Sequence, residues 1–142
     1  MRLLVHRHIG VRAEGMILTA GIWLLIGAGA LTGESPDRVG AWHTLLPLWA
    51  RVALWWVPAL VALALAPSVH RSHYGLGALF VAPMVHLCSY TTAWVVELLP
   101  GPPPGDPGGW YRAAIYGALV ALVVLLSHIP ADVRAPLSGR PR

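Results

Sequence analysis

Four long apolar runs constrain what this chain can fold into more than any other feature of its sequence. The runs cover about residues 16–31, 46–66, 76–99 and 113–129. A helix needs ~17–25 predominantly apolar residues to cross a hydrocarbon core of roughly 30 Å. The second and third runs meet this length easily, and the first and fourth lie near its lower limit. The sequence therefore predicts an all-α, polytopic transmembrane bundle of four helices.

The composition of the chain also favours a membrane location. Apolar residues make up 56% of its 142 residues, and charged residues make up only 11%. An average soluble domain has roughly 25% charged residues, so this chain has too few of them to cover a soluble core. We expect a multi-pass protein of the cell inner (cytoplasmic) membrane, with the lipid bilayer as its main partner.

Turn-forming residues separate the apolar runs. Residues 32–37 include Gly, Pro and two acidic residues, Pro67 follows the second run, and residues 100–109 consist almost entirely of Pro and Gly. Such residues interrupt helices. The predicted organisation is a basic cytoplasmic N-terminal segment (1–15), a transmembrane domain (16–129) and a basic cytoplasmic tail (130–142).

The placement of arginine predicts the orientation of the bundle. All ten basic residues are Arg, and most of them fall on one side of a four-span topology. That side holds Arg2, Arg7, Arg12, Arg71, Arg134, Arg140 and Arg142, and the other side holds Arg38, Arg51 and Arg112. Because cytoplasmic loops carry an excess of basic residues, we predict an N-in, C-in topology. The net charge of +4 then reflects topology and anionic lipid, and no nucleic-acid partner is expected.

Four tryptophans are expected to anchor the bundle at its outer interface. These residues are Trp42, Trp49, Trp94 and Trp110, and each lies near an outer end of a predicted span. Amphipathic indole rings collect at the level of the lipid headgroups.

A cleaved signal peptide is a competing interpretation of the first run. Ala28-Gly29-Ala30 follows basic residues and a short apolar run, as at a signal-peptide cleavage site. Cleavage would remove residues 1–30 and leave three spans. The uncleaved interpretation is favoured, because the segment before the run is long for a signal peptide and contains Glu14.

The third run carries a polar face where any activity would have to reside. Helical spacing aligns His86, Ser89, Tyr90 and Glu97, and Arg51 lies about one turn inside the second span. Polar groups in hydrocarbon are costly, so this face should point into the bundle or a wet cavity. An ion path and an interhelical hydrogen-bond network both remain open, and the network is favoured. Arg51 is expected to reach the headgroups or to pair with Glu97, and the headgroup placement is favoured because it is the cheaper of the two.

No motif in the sequence predicts catalysis or a cofactor. The chain has no nucleophile elbow, P-loop, zinc-protease motif or paired carboxylates. Five histidines would lie at the cytoplasmic interface: His6, His8, His70, His73 and His128. His70 and His73 would share a face if their loop is helical, but no carboxylate or cysteine accompanies these histidines, so no metal site is predicted. The single cysteine, Cys88, excludes an intramolecular disulfide. We expect a protein that is not an enzyme.

Small residues recur at helical spacing and favour close approach of helices. The sets are Gly21, Gly27 and Gly29, then Ala62 with Ala66, Ala114 with Ala118, and Gly117 with Ala121. Such spacing predicts lateral association into a homo-oligomer. Pro58 and Pro83 should kink the second and third helices and free carbonyls that neighbours must satisfy.

Several sequence features together resemble a known group of phage proteins. They are Gly21-Ile22-Trp23, Gly27-Ala28-Gly29-Ala30-Leu31-Thr32, Ala41-Trp42-His43, Arg51-Val52-Ala53-Leu54-Trp55-Trp56, Pro83 ahead of Ser89-Tyr90, and Gly109-Trp110-Tyr111-Arg112-Ala113. Over nearly its whole length the chain resembles small four-span integral membrane proteins that phages of actinobacteria encode near their tail and lysis genes.

Three functions are compatible with this resemblance and with the residues. The first is a holin-like or lysis-accessory protein that associates laterally and permeabilises the membrane. The second is a non-permeabilising structural or interaction protein that binds another membrane or phage component through its Trp-rich outer loops. A small transporter or channel subunit is the third.

Overall fold

The computed structural model describes residues 10–32, 41–68, 70–99 and 108–130. These residues form four α-helices and one short 3-10 helix. In chain order they are α1 (Val11–Leu31), the 3-10 helix (Trp42–Leu45), α2 (Leu48–Leu65), α3 (Ser72–Glu97) and α4 (Gly109–His128). All four α-helices are long and apolar enough to cross a membrane. The predicted all-α bundle of four membrane helices is confirmed, and the N-in, C-in orientation stays a prediction.

Three of the four helices begin earlier than the apolar runs suggest, and α2 begins slightly later, at Leu48 rather than near residue 46. α1 begins at Val11 rather than near residue 16, and α3 begins at Ser72 rather than near residue 76. Hydropathy marks the part of a helix that suits hydrocarbon, whereas backbone hydrogen bonding continues through the more polar residues at headgroup level. The predicted N-terminal segment, Pro/Gly-rich connection and C-terminal tail lie largely outside the described residues, at 1–9, 100–107 and 131–142.

Consecutive helices pack side by side and run antiparallel. Gly27, near the end of α1, lies against Trp55 and Trp56 near the start of α2. Gly109, at the start of α4, lies against Trp94 near the end of α3. The main helix contacts are α1 with α2, α2 with α3, and α3 with α4, and smaller contacts join α1 to α3 and α4. We call the end of the bundle that carries the 3-10 helix the upper end, and the opposite end the lower end.

The lower half of the bundle has a packed apolar core. Met16, Trp23, Ala59, Ala62 and Leu79 are all 0% exposed. Since lipid is as apolar as these side chains, close packing and interhelical hydrogen bonds stabilise such a core more than exclusion from water does. α1 supplies Met16 and Trp23, two of the largest fully buried side chains. The first helix is therefore an integral part of this bundle.

A hydrogen bond between helices compensates for the proline in α3. Pro83 has no backbone N–H, so the Leu79 carbonyl four residues earlier has no helical donor. The Trp23 indole Nε1–H of α1 donates to that carbonyl at 3.1 Å. An unsatisfied carbonyl in hydrocarbon is costly, and this bond removes the cost.

The small residues divide between the inside and the outside of the bundle. Gly27, Ala62 and Ala66 are buried between helices of the same chain, because Trp rings and neighbouring backbones need the space there. Ala114 and Ala118 of α4 are exposed. Association of chains through small residues stays a prediction, and α4 is the helix that offers such a face.

Candidate functional site

A cavity of about 270 Å³ lies in the upper half of the bundle and is partly open. All four helices and the 3-10 helix contribute to its walls. Its lining residues are Ile26, Gly29, Ala30, His43, Thr44, Arg51, Trp55, His86, Tyr90 and Tyr116. Most of these side chains are aromatic, cationic or hydroxyl-bearing, so this upper cavity differs sharply in chemistry from the apolar core below it.

His43 is held in the cavity wall by Ser89 of α3. The 3-10 helix packs against α3 and buries the imidazole, which is only 6% exposed. The His43 backbone N–H donates to Ser89 Oγ at 3.2 Å, and His43 Nδ1 lies 2.8 Å from the same oxygen. Two contacts to one fully buried hydroxyl fix both the backbone and the ring of His43.

His86 lies at the centre of a group of aromatic rings. Its Nδ1–H donates to the Ala82 carbonyl at 2.9 Å, because a carbonyl can only accept. The centroid of its ring is 4.6 Å from that of His43, 4.7 Å from that of Trp55 and 4.9 Å from that of Tyr116. His86 therefore touches residues of the 3-10 helix, α2 and α4 at once.

Two tyrosines and two arginines complete the upper part of the site. Tyr90 and Tyr116 stack with their planes 7° apart and their centroids 5.5 Å apart. The Arg112 guanidinium carbon lies 5.6 Å from the centroid of the Tyr90 ring, within the range of a cation–π interaction. Arg51 lines the cavity from α2 with its Nε atom buried. Arg51 of α2 and Arg112 of α4 thus both lie beside the aromatic rings of this site.

The surroundings of His43 favour its neutral form. Burial is the largest cause, and the nearby His86 and Arg51 add to it; together they lower the pKa of His43 from 6.5 to about 4. A buried imidazole loses hydration when it becomes charged, and a neighbouring guanidinium repels that charge. At pH 7 the ring is neutral, and the positive charge of Arg51 contributes to keeping it neutral.

Four of the five predicted polar residues meet at this cavity. His86, Tyr90 and Arg51 line it, and Ser89 holds His43 from behind. Glu97 does not join them, because it is exposed near the end of α3 and makes no ion pair with the described residues. The placement of Arg51 at the headgroups, which the sequence favoured over pairing with Glu97, stays a prediction, and in the structure Arg51 lines the cavity.

Sequence reasoning did not identify His43 and Tyr116 as parts of the site. His43 lies between two apolar runs, and no periodic pattern links it to α3. Tyr116 is four residues after Arg112, so both project from one face of α4. The sequence signal for Tyr116 was this four-residue spacing, which gives α4 a polar face like that of α3.

The four predicted anchor tryptophans are exposed at the upper end. Their exposed fractions are 41% for Trp42, 72% for Trp49, 37% for Trp94 and 56% for Trp110. They come from the 3-10 helix and from the ends of α2, α3 and α4 that surround the cavity. Their assignment to the outer interface stays a prediction.

The histidines considered as metal ligands do not gather at the lower end. His70 and His73 are exposed, and His128 Nδ1–H donates to the Val124 carbonyl at 2.8 Å. Across residues 10–32, 41–68, 70–99 and 108–130, no group of three or more His, Cys, Asp or Glu residues is arranged to hold a metal ion. His6 and His8 lie outside the described residues.

The cavity ends where the apolar core begins. Trp55 forms part of its wall and packs edge-on against Trp23, with ring centroids 5.6 Å apart. Trp23, Leu79 and Met16 are fully buried below that contact. The upper cavity is therefore a recess in one half of the bundle.

Comparisons with known proteins add no relative. No family model, curated protein or solved structure matches this chain.

Proposed function

We propose that this small integral membrane protein is a non-enzymatic, non-permeabilising interaction protein, and that the upper cavity is where it binds another component. The observation that carries the proposal is the recess itself. Polar side chains from the 3-10 helix, α2, α3 and α4 converge on it, and the apolar core lies below it. A binding site needs access from one side, which this arrangement provides.

A conducting path would require polar or wet surroundings along the whole length of the bundle. Charged and polar groups in the membrane interior normally face such a path or one another. Here the polar residues that line the cavity end at His86, and Trp23, Leu79 and Met16 fill the layers below it, where the buried Thr19 hydroxyl is bound to the Gly15 carbonyl of its own helix. The packing within one bundle therefore argues against a transporter or channel subunit.

A vesicle assay tests the proposal. The purified chain is reconstituted into liposomes that contain a self-quenching dye, and release is followed against protein-free liposomes. We expect equal, slow release from both, because the fully buried side chains of Met16, Trp23 and Leu79 pack below the cavity. Rapid dye release that increases with the amount of protein per liposome would contradict the proposal.

A holin-like or lysis-accessory role, with a phage origin, is the second candidate. The observation that favours it is the exposed face of α4, where Ala114 and Ala118 allow a second helix to approach closely. In this role the membrane is opened by an assembly of chains. Expression in a bacterial host should then arrest growth, and Ala114→Leu with Ala118→Leu should prevent the arrest. An endolysin gene beside this one would support the same role.

A further inference from the structure

Two side chains that line the upper cavity keep hydrogen-bonding capacity that the described part of the chain does not use. His86 is bound to the Ala82 carbonyl through Nδ1, and its Nε2 atom makes no hydrogen bond to a described residue. The Tyr116 hydroxyl makes none to these residues either. Both side chains line the cavity. A ligand can therefore bind to His86 and Tyr116 without breaking a contact between described residues.

The hydrogen bond of His86 decides what its second nitrogen can do. A carbonyl can only accept, so the proton of the neutral ring is on Nδ1 and Nε2 keeps a lone pair. Nε2 therefore needs a donor from the ligand. The Tyr116 hydroxyl can donate as well as accept. A hydroxyl group on the ligand suits both residues, because its proton can go to His86 while its oxygen accepts from Tyr116.

Aromatic rings form much of the cavity wall around these two groups. The ring centroid of His86 lies 4.7 Å from that of Trp55 and 4.9 Å from that of Tyr116. Tyr90 stacks on Tyr116 with the two planes 7° apart. Aromatic rings attract one another in offset-stacked and edge-to-face arrangements. A flat ligand ring can join this wall in the same way, which a flexible chain of hydroxyl groups cannot do.

The contribution of α1 leaves room for such a ring. α1 lines the cavity with Ile26, Gly29 and Ala30. A Cβ atom at Gly29 would meet no atom within 4 Å, so open space lies beside the backbone there. The cavity volume of about 270 Å³ lies just below the ~300–1,000 Å³ typical of small-molecule sites. It therefore suits one compact ring system.

We propose that the upper cavity binds a neutral aromatic ring that carries a hydroxyl group, either the quinol headgroup of a membrane lipid or a free phenol. This ligand class rests on the proposed function, because it belongs to the same recess. The ligand hydroxyl donates to His86 Nε2 and accepts from Tyr116, and its ring packs against Trp55. Arg51 and Arg112 interact with other groups of the protein and are not required to bind a neutral ligand.

The test measures the binding of two probes to the full chain in lipid nanodiscs, with empty nanodiscs as the blank. 1-Naphthol carries the hydroxyl group, and 1-methoxynaphthalene carries a methyl group in place of the hydroxyl proton. Calorimetric titrations are made at about pH 8, where an imidazole is neutral. We expect naphthol to bind about fivefold more tightly than its methyl ether, since only naphthol can donate to His86.

Two variants separate the two hydrogen bonds. His86→Phe keeps a ring at this position and removes Nε2, so the two probes should bind with similar affinity. Tyr116→Phe removes a donor that both probes can use, so it should weaken both by a similar factor, about three- to tenfold.

A pair of glycine variants on α1 connects binding to the cavity without removing a hydrogen-bonding group. Gly29→Leu places a side chain in the open space and should abolish the binding of both probes. Gly21→Leu makes the same change at a position that does not line the cavity, where a Cβ atom also meets no atom within 4 Å, and should leave binding unchanged. If His86→Phe fails to fold, this pair and the preference of the natural chain for naphthol decide the question.

A competition titration identifies the source of the ring. A naphthoquinol with an isoprenoid tail, kept reduced by dithionite, is added to nanodiscs that hold bound naphthol. Displacement of naphthol identifies the headgroup of a lipid as the ligand, and the absence of displacement identifies a free phenol.

Three results would overturn the proposed ligand and leave the proposed function in place. They are the absence of heat above the blank for both probes, equal affinity of the natural chain for the two probes, and equal effects of Gly29→Leu and Gly21→Leu. In each of these cases the dye-filled vesicles can still remain tight. Dye release, in contrast, would overturn the proposed function whatever the naphthol titrations give.

Discussion

Trp23 connects two helices through an atom that proline leaves without a partner. Its indole N–H donates to the Leu79 carbonyl, and the backbone nitrogen that would normally donate there belongs to Pro83. The sequence predicted that the two prolines would free carbonyls, because the chemistry of proline requires it. It did not identify Trp23 as the donor, since the register between α1 and α3 depends on packing along their whole length.

We predict that Trp23→Phe and Pro83→Ala are coupled. Trp23→Phe alone should destabilise the bundle, with about 1 kcal/mol of the loss due to the missing hydrogen bond. Pro83→Ala restores the helical N–H to the Leu79 carbonyl, so the cost of Trp23→Phe should be smaller in that background by about the same amount. The smaller ring leaves a similar void in both backgrounds, so the free-energy cost of the void cancels when the two values are compared. Equal costs in unfolding titrations of the four proteins would contradict this account.

His43 makes the stability of the bundle depend on pH. Its pKa is lowered to about 4 in the folded chain from 6.5, so the unfolded chain binds more protons between these values. The stabilisation is complete above pH 6.5 and is lost as the pH falls towards 4, by up to about 3 kcal/mol.

Melting temperatures in detergent at pH 7.5 and pH 4.5 measure this loss. The natural chain should melt lower at pH 4.5, and His43→Gln should reduce the difference, because the amide keeps hydrogen-bonding capacity without titrating. A variant with the same pH dependence as the natural chain would exclude His43 as the cause.

At the scale of elements, the sequence predicted the helices better than the contacts between them. The lengths of the apolar runs indicated four spans, and helical periodicity aligned His86, Ser89 and Tyr90 on one face of α3. The 3-10 helix was not predicted, because four residues before Pro47 are too few to show a period. Its His43 completes the cavity, so one of the two histidines that line the site comes from an element without a sequence signature.

The contact between α1 and α2 depends on one glycine. A Cβ atom at Gly27 would overlap the indole of Trp56, whose Nε1–H is bound to the Leu24 carbonyl at 3.1 Å. The ring cannot move away without losing this bond. Gly27→Ala should therefore destabilise the bundle by about 1–3 kcal/mol.

Gly21→Ala is the matched control on the same helix. No atom lies within 4 Å of the position its Cβ would take, so the change should be neutral or slightly stabilising. Unfolding titrations in mixed micelles compare the two variants. A Gly27→Ala protein as stable as Gly21→Ala would show that the helices do not approach as closely as described.

For the whole molecule, the orientation in the membrane is the main prediction that the fold leaves open. With both termini in the cytoplasm, the upper cavity and its surrounding tryptophans face outward. A reporter fused after Arg142 should be active only in its cytoplasmic form, because the basic residues of the tail resist translocation. Activity of an extracytoplasmic reporter at this position would reverse the orientation and place the cavity on the inner side.

The dead end of the cavity has a consequence for how the protein responds to voltage. We expect water to enter the partly open recess and to hold the electrical potential of the upper side down to the depth of His86. The transmembrane field therefore falls mostly across the packed layer of Met16, Trp23 and Leu79, which acts as a thin insulator. A unit charge that crosses a full 100 mV changes its energy by about 2.3 kcal/mol. A charge that enters only as far as Arg51 crosses little of that drop, so occupancy of the recess should be nearly independent of whether the cell is energised.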